Sequence, residues 1–171
     1  MKIVVIHQYF LRPGESGGSR FNEMARYWVK QGHEVTVIAG QVHYASGEKP
    51  PEYEGKAVVE EWQNGIRVLR AYTPSSFHES IVGRMWAFGG FGLGAALALL
   101  THVRDADVVL ATSPSLLVLL PGLLAKWGRG WPLVFEVRDL WPESAVSTGV
   151  LSENSPITKI AYGLEHAGYA S

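Results

Sequence analysis

Lys2-Ile3-Val4-Val5-Ile6-His7-Gln8-Tyr9-Phe10 opens the chain, and Val35-Thr36-Val37-Ile38-Ala39 answers it some thirty residues on. Ile3 to Ile6 is an unbroken β-branched run, the pattern of a strand buried on both faces. A loop over residues 9–18 follows, with Pro13, Gly14, Gly17 and Gly18. Ser19 stands where a helix cap belongs. Phe21, Met24, Ala25, Trp28 and Val29 then recur at i, i+3, i+4, i+7 and i+8, which predicts a helix with one apolar face. Gly32 ends that helix, and Val35 starts the second buried strand. Strand, glycine loop, helix, strand is a parallel pair with a right-handed crossover.

Working outward, residues 41–56 read as a long loop containing Pro50-Pro51. Residues 57–63 and 66–72 flank Asn64-Gly65, the strongest short hairpin signal. Residues 80–103 read as a helix whose first half is weakened by Gly89, Gly90, Gly92 and Gly94. A strand over 107–111, a helix over 115–127 with a kink or break expected at Pro121, and a strand over 133–137 continue the alternation. Residues 138–154 read as a loop with a short helix. Ser155-Pro156 then caps a final helix with an apolar stripe of Ile157, Ile160, Ala161, Leu164 and Ala167. The pattern predicts an α/β, Rossmann-like three-layer sandwich: a mostly parallel sheet plus a β-hairpin, with helices on both faces.

Composition limits the function classes. The chain has 171 residues, 15 Lys+Arg against 16 Asp+Glu, and no cysteine. That charge balance gives no basis for general nucleic-acid binding. Thiolate metal sites, disulfides and cysteine nucleophiles are excluded. The opening apolar run is too short for a signal peptide. Residues 85–100 are uncharged and apolar but fall short of the ~18–20 residues of a membrane span.

Ligands of such sheets bind beyond the carboxyl ends of the strands. Three segments converge there. The glycine loop opening a helix suits a phosphate, with Gly17, Gly18, Ser19 and Arg20 as donors; a plain chain reversal is the alternative. Thr112-Ser113-Pro114-Ser115 supplies hydroxyls, of which Ser113 or Ser115 is read first as a helix cap. Glu136-Val137-Arg138-Asp139-Leu140-Trp141-Pro142-Glu143 crowds charges at the end of a buried strand. Such charges are either used in a site or paired internally, Arg138 with Asp139 or an arginine with a glutamate. His7, just past the first strand, is the one histidine placed for a ligand. The six histidines show no metal spacing.

Other stretches match motif patterns without the context those motifs need. Gly14-Glu15-Ser16-Gly17-Gly18 has nucleophile-elbow spacing, and Asp139 with His166 would complete a triad, but Ser16 is not on a tight turn at a strand end. Gly90-Phe91-Gly92-Leu93-Gly94-Ala95 lacks the preceding strand of a dinucleotide site. Asp105-Ala106-Asp107 falls at the amino end of a strand, away from the expected site. Arg84, Trp86, Phe88 and Phe91 form either part of a core helix or a membrane-contacting set.

The residues together resemble a family. The opening through Phe10, with Pro13, Gly17-Gly18 and Arg20, resembles family 4 glycosyltransferases. Gly32-His33-Glu34-Val35-Thr36-Val37, Asn64-Gly65-Ile66-Arg67-Val68 and Asp107-Val108-Val109 with Thr112-Ser113-Pro114 are similar to later segments of that family. Val137-Arg138-Asp139-Leu140-Trp141-Pro142-Glu143 is the most specific piece, and resembles a bacterial surface-polysaccharide branch that includes N-acetyl-fucosamine transferases.

The resemblance implies one half of a GT-B architecture of two Rossmann-like domains facing a cleft. Residues 1–171 would be the N-terminal, acceptor-side domain, and a C-terminal domain would hold most of a UDP- or GDP-sugar. It implies a retaining transfer to a cell-surface polysaccharide or lipid-linked precursor, with no metal or other cofactor. It also implies a cytoplasmic protein, peripheral on the inner face of the membrane. Gly17, Gly18, Ser19 and Arg20 would meet the donor phosphate; His7, Arg138, Asp139 and Glu143 would meet sugar or acceptor, with Asp139 the catalytic candidate. A stand-alone Rossmann-like binding module and, more remotely, a serine hydrolase are the competing readings.

Overall fold

The computed structural model describes residues 1–75, 81–113, 115–149 and 151–170, with the side chains of 81, 82 and 84 left outside. Pro114 of the hydroxyl-rich turn, the expected helix start at Ser80 and the Arg84 side chain therefore lie outside the described residues. Six strands form one sheet: β1 (Lys2–Ile6), β2 (Glu34–Gly40), β3 (Val58–Gln63), β4 (Ile66–Ala71), β5 (Val108–Thr112) and β6 (Leu133–Glu136). Their order is β3-β4-β2-β1-β5-β6. Every pair is parallel except the β3–β4 hairpin. Asn64 and Gly65 both take positive φ, 52° and 81°, as the two-residue hairpin turn demands.

Alternation along the strands divides the core. Ile3 and Val5 of β1 face Phe21 and Ala25 of helix α1 (Arg20–Lys30). Val4 and Ile6 face Phe91, Ala95 and Leu99 of helix α2 (Ile81–His102). Helices α3 (Leu119–Arg129) and α5 (Pro156–Tyr169) share the α2 side, packing through Leu119, Leu123, Ala161 and Leu164. A short helix, α4 (Glu143–Ser147), lies between β6 and α5. The α/β sandwich expected from the alternation is the fold observed.

Three local features differ from or add to what the sequence suggests. α2 runs unbroken through its four glycines, and Gly90, Gly92 and Gly94 let it sit close to its neighbours, while a Cβ on Gly89 would meet nothing within 4 Å. A Cβ on Gly90 would lie 2.4 Å from Pro74 Cδ, and one on Gly94 2.6 Å from the Tyr72 carbonyl. Pro121 causes no kink, because it is the third residue of α3, where the backbone N–H has no helical partner to lose. The chain before it, Leu116–Val118, is a separate 3-10 turn whose first donor is met by Ser115 Oγ. Ser19 holds the N-cap position of α1 without a side-chain cap bond, so the free donors at that helix start are left open.

Candidate functional site

Strand order reverses between β1 and β5, and the crevice beyond their carboxyl ends is where such sheets take ligands. A cavity of about 300 Å³ opens there, lined by His7, Ser16, Gly17, Gly18, Arg138 and Asp139 together with Tyr9, Leu11 and the 43–45 segment. A larger groove, about 630 Å³, lies at the amino end around Lys2, His33, Arg67 and Asp105. Parallel-sheet geometry favours the smaller one.

His7 continues β1 and is 4% exposed. Its ring centroid stands 4.6 Å from that of Phe21. Its Nδ1 is buried with no hydrogen-bond partner. Burial, then the Arg138 and Arg20 cations, push the imidazole down to about 3, so the ring is neutral at ordinary pH. An apolar-packed neutral imidazole with one unused polar atom can hold a hydroxyl of a ligand.

The glycine loop is shaped from within. Arg12 donates from its backbone N–H to Glu15 Oε2 at 2.7 Å and from Nε to Glu15 Oε1 at 2.6 Å. Asn22 of α1 bonds Leu11 in both directions, at 3.2 and 2.9 Å. Arg70 of β4, 2% exposed, donates from Nη1 to the Phe10 carbonyl at 2.6 Å and from Nε to Glu61 Oε1 at 2.7 Å. Tyr53 Oη and Gln63 Nε2 complete the shell of Glu61, at 2.7 and 2.8 Å. Burial works to raise the Glu61 carboxyl, but Arg70 and these donors prevail and hold it below its ordinary value. Burial, then the bond to Glu61, pushes Tyr53 up to about 12. Arg70 was not among the residues singled out from sequence. Its only signal there is a cation inside the apolar run of β4.

The Arg138–Asp139 segment follows β6. Ser113 Oγ, past the end of β5, accepts from the N–H of Arg138 at 2.7 Å and of Asp139 at 3.3 Å. Ser113 is thus a clasp for this loop, while the capping role falls to Ser115. Among the described residues neither Arg138 nor Asp139 joins an ion pair. The arginine–glutamate pair that does form joins Arg20 to Glu136, across the rim between α1 and β6.

Not every expected residue reaches the cavity. Gly17, Gly18, His7, Arg138 and Asp139 line it together; Ser19 and Arg20 do not, and Arg20 is engaged by Glu136. Glu143 opens α4 and accepts from Tyr162 Oη at 2.6 Å, away from the cavity lining. Ser16 and Asp139 line the cavity, but His166 is in the last turn of α5 and no hydrogen bond links the three among the described residues, so no triad is assembled. Trp86 is exposed, Phe88 borders an apolar cavity of about 170 Å³ with Met85, Leu117 and Trp141, and Phe91 is fully buried in the core. Phe91 therefore cannot touch a membrane. Among the described residues no group of three or more His, Asp or Glu is gathered as for a metal ion.

Two solved structures similar to this chain are glycosyltransferases. The catalytic domain of starch synthase IV from Arabidopsis thaliana, bound to ADP and acarbose, aligns with TM-score 0.55 and 12% identity over 81% of this chain and 34% of that one. The glycotransferase of kitacinnamycin aligns with TM-score 0.52 and 15% identity over 93% and 37%. The chain thus spans about a third of the length of those structures. At these identities the likeness establishes the fold, that of a GT-B glycosyltransferase domain. The sequence carries the assignment further: residues 17–169 match the family described as "Glycosyl transferase 4-like domain", and the chain belongs to that family. No curated protein matches the sequence.

Proposed function

We propose that this chain is the acceptor-side half of a retaining glycosyltransferase that moves a sugar from a UDP- or GDP-sugar to a bacterial surface polysaccharide or its lipid-linked precursor. The branch resembling N-acetyl-fucosamine transferases is the reading the 137–143 segment favours. A second α/β domain, C-terminal to this one and facing the same cleft, would hold most of the nucleotide. The protein would work at the inner face of the cytoplasmic membrane, without a metal or other cofactor.

The observation that carries this reading is the unpartnered, buried Nδ1 of His7 in a cavity shared by the glycine loop and Asp139. In the reaction, the open N–H groups at the start of α1 and the bare backbone of Gly17 and Gly18 receive the donor diphosphate. Neutral His7 holds a sugar hydroxyl. Asp139 orients the acceptor and offsets the positive charge that develops on the transferred sugar, with Arg138 beside it for the phosphate leaving group. Ser19, Arg20 and Glu143 act at the rim, Arg20 by exchanging Glu136 for phosphate.

The test is transfer by the full-length protein with a panel of UDP- and GDP-sugars and lipid-linked acceptors, the product's anomeric configuration being read by NMR. Retained configuration without added metal is expected; inversion, or no transfer from any nucleotide-sugar, overturns the reading. The 171-residue chain alone should bind nucleotide-sugars only weakly in calorimetry, and micromolar affinity would overturn the division between domains.

A further inference from the structure

The outer surface of α2 and α3 combines three features. The first is an exposed apolar stripe. Trp86, Leu93, Leu97 and Leu100 follow one another at steps of seven, four and three, so they share one line along α2, spanning about 21 Å at 1.5 Å per residue. Trp86 is 61% and Leu93 67% exposed. Phe91, two positions from Leu93, is wholly buried, so the stripe points away from the sheet. Leu124 and Trp127 do the same on α3, which packs on the same side of the sheet through Leu119 and Leu123. The two helices run side by side: a Cβ on Gly92 would lie 3.6 Å from Leu120 Cδ1, and Arg129 donates to the Leu100 carbonyl at 3.2 Å.

The second feature is charge. Neither helix contains an Asp or Glu, whereas the chain as a whole is slightly acidic. The third is how the cations at the stripe's far end are used. Lys126 and Arg129 lie in the last turns of α3, and Arg104 follows α2 by two residues. The six ion pairs among the described residues engage Lys2, Arg12, Arg20, Arg26, Arg67 and Arg70, and none draws on this face. Asp105, next to Arg104, is held by Lys2 at 2.6 Å.

We infer that this face docks on an anionic lipid bilayer, with α2 lying in the interface plane. Tryptophan and leucine side chains enter the boundary between headgroups and acyl chains, and the cations that join no ion pair meet anionic headgroups. By length and composition the Met85–His102 stretch would pass for a membrane span, but half of it is buried inside the domain, so α2 serves the core with one side and the bilayer with the other. The inference sharpens the membrane placement proposed above, yet it fails separately from the transfer reaction, because vesicle binding needs neither donor nor acceptor.

The experiment is co-sedimentation of the full chain with phosphatidylcholine vesicles, with and without phosphatidylglycerol. The protein is expected to sediment with the anionic vesicles and release at high salt. Leu93→Ser with Leu97→Ser, and separately Lys126→Glu with Arg129→Glu, should each cut partitioning at least ten-fold at an unchanged melting temperature. Should the leucine pair melt early, Trp86→Ser gives the same reading at a site open to solvent. Failure of the wild-type protein to sediment, or full sedimentation by folded variants, overturns the inference. So does a wild-type dimer in analytical ultracentrifugation that the leucine substitutions make monomeric, since a second copy would then own the face.

Discussion

Two of the loops that border the polar cavity are built in opposite ways. The β1–α1 loop consumes its polar side chains on itself: Arg12 closes on Glu15, Asn22 clamps Leu11, and Arg70 reaches under the loop to Phe10. What it offers a ligand is backbone. The β6–α4 loop is held by its backbone on a single serine oxygen, leaving the charges of Arg138 and Asp139 uncommitted among the described residues. The difference separates a loop that shapes the cavity from one that supplies it with charge. Substitutions of the side chains that brace the first should register as stability, and those of the charges in the second as activity.

The largest effect is expected at Arg70. Arg70→Ala leaves Glu61 half-buried without its cation and the Phe10 carbonyl without a donor, and should cost about 3–5 kcal/mol in urea unfolding. A loss below 1 kcal/mol would show that the loop does not depend on the arginine. Gly17 comes next. Its φ is +153°, and a Cβ there would lie 3.2 Å from Leu11 Cδ2. Gly17→Ala should therefore cost about 1–3 kcal/mol, read from the melting curve.

His7 sharpens the comparison through pH. The unfolded chain takes up a proton at the ordinary value of 6.5, the folded chain only at about 3. The unfolded state therefore binds more protons between those values, and stability, complete above pH 6.5, falls as the pH drops through that window. The slope from this one group approaches about 1.4 kcal/mol per pH unit. The carboxylates held down by arginines, Glu15, Glu60 and Glu61, add their losses only below their ordinary 4.5, so the interval from 6.5 to 5 isolates the histidine. Denaturant titrations of His7→Asn in that interval should be flat; an unchanged slope would assign the pH dependence elsewhere. The smallest effect on stability is expected at Gly18, where a Cβ meets nothing within 4 Å. Gly18→Val should melt normally yet bind nucleotide-sugar about ten-fold more weakly in the full-length enzyme, because the side chain stands where a ligand approaches the backbone. Unchanged affinity would remove the loop from the phosphate site.

The period of the apolar residues made most of this fold legible. Ile3–Ile6, the 21–29 stripe and the Asn64-Gly65 turn each obey a local rule, and the parallel first pair and the hairpin follow from them, whereas the full strand order comes from the structure. Among the cavity-lining residues, His7 and Asp139 were legible from their place past strand ends, and Gly17 and Gly18 from a glycine-rich loop that opens a helix. Arg70 was not, because its partner Phe10 is sixty residues away and is brought close only by β4 lying two strands from β1. Ser113 read as a cap because the backbone N–H groups it accepts from, those of Arg138 and Asp139, lie 25 and 26 residues away. In α2 the sequence is apolar on every side, so periodicity carries no direction. Only packing separates Phe91, inside, from Leu93, outside.

The central claim is that the uncommitted carboxylate of Asp139 serves the reaction and not the fold. Melting temperature and kcat measured on one purified full-length Asp139→Asn enzyme test it most directly. The side chain is exposed and joins no ion pair, so the change of charge without change of shape should leave the melting temperature where it is and lower kcat about 100-fold. A large fall in melting temperature, or an unaltered kcat in a normally folded variant, would contradict the account.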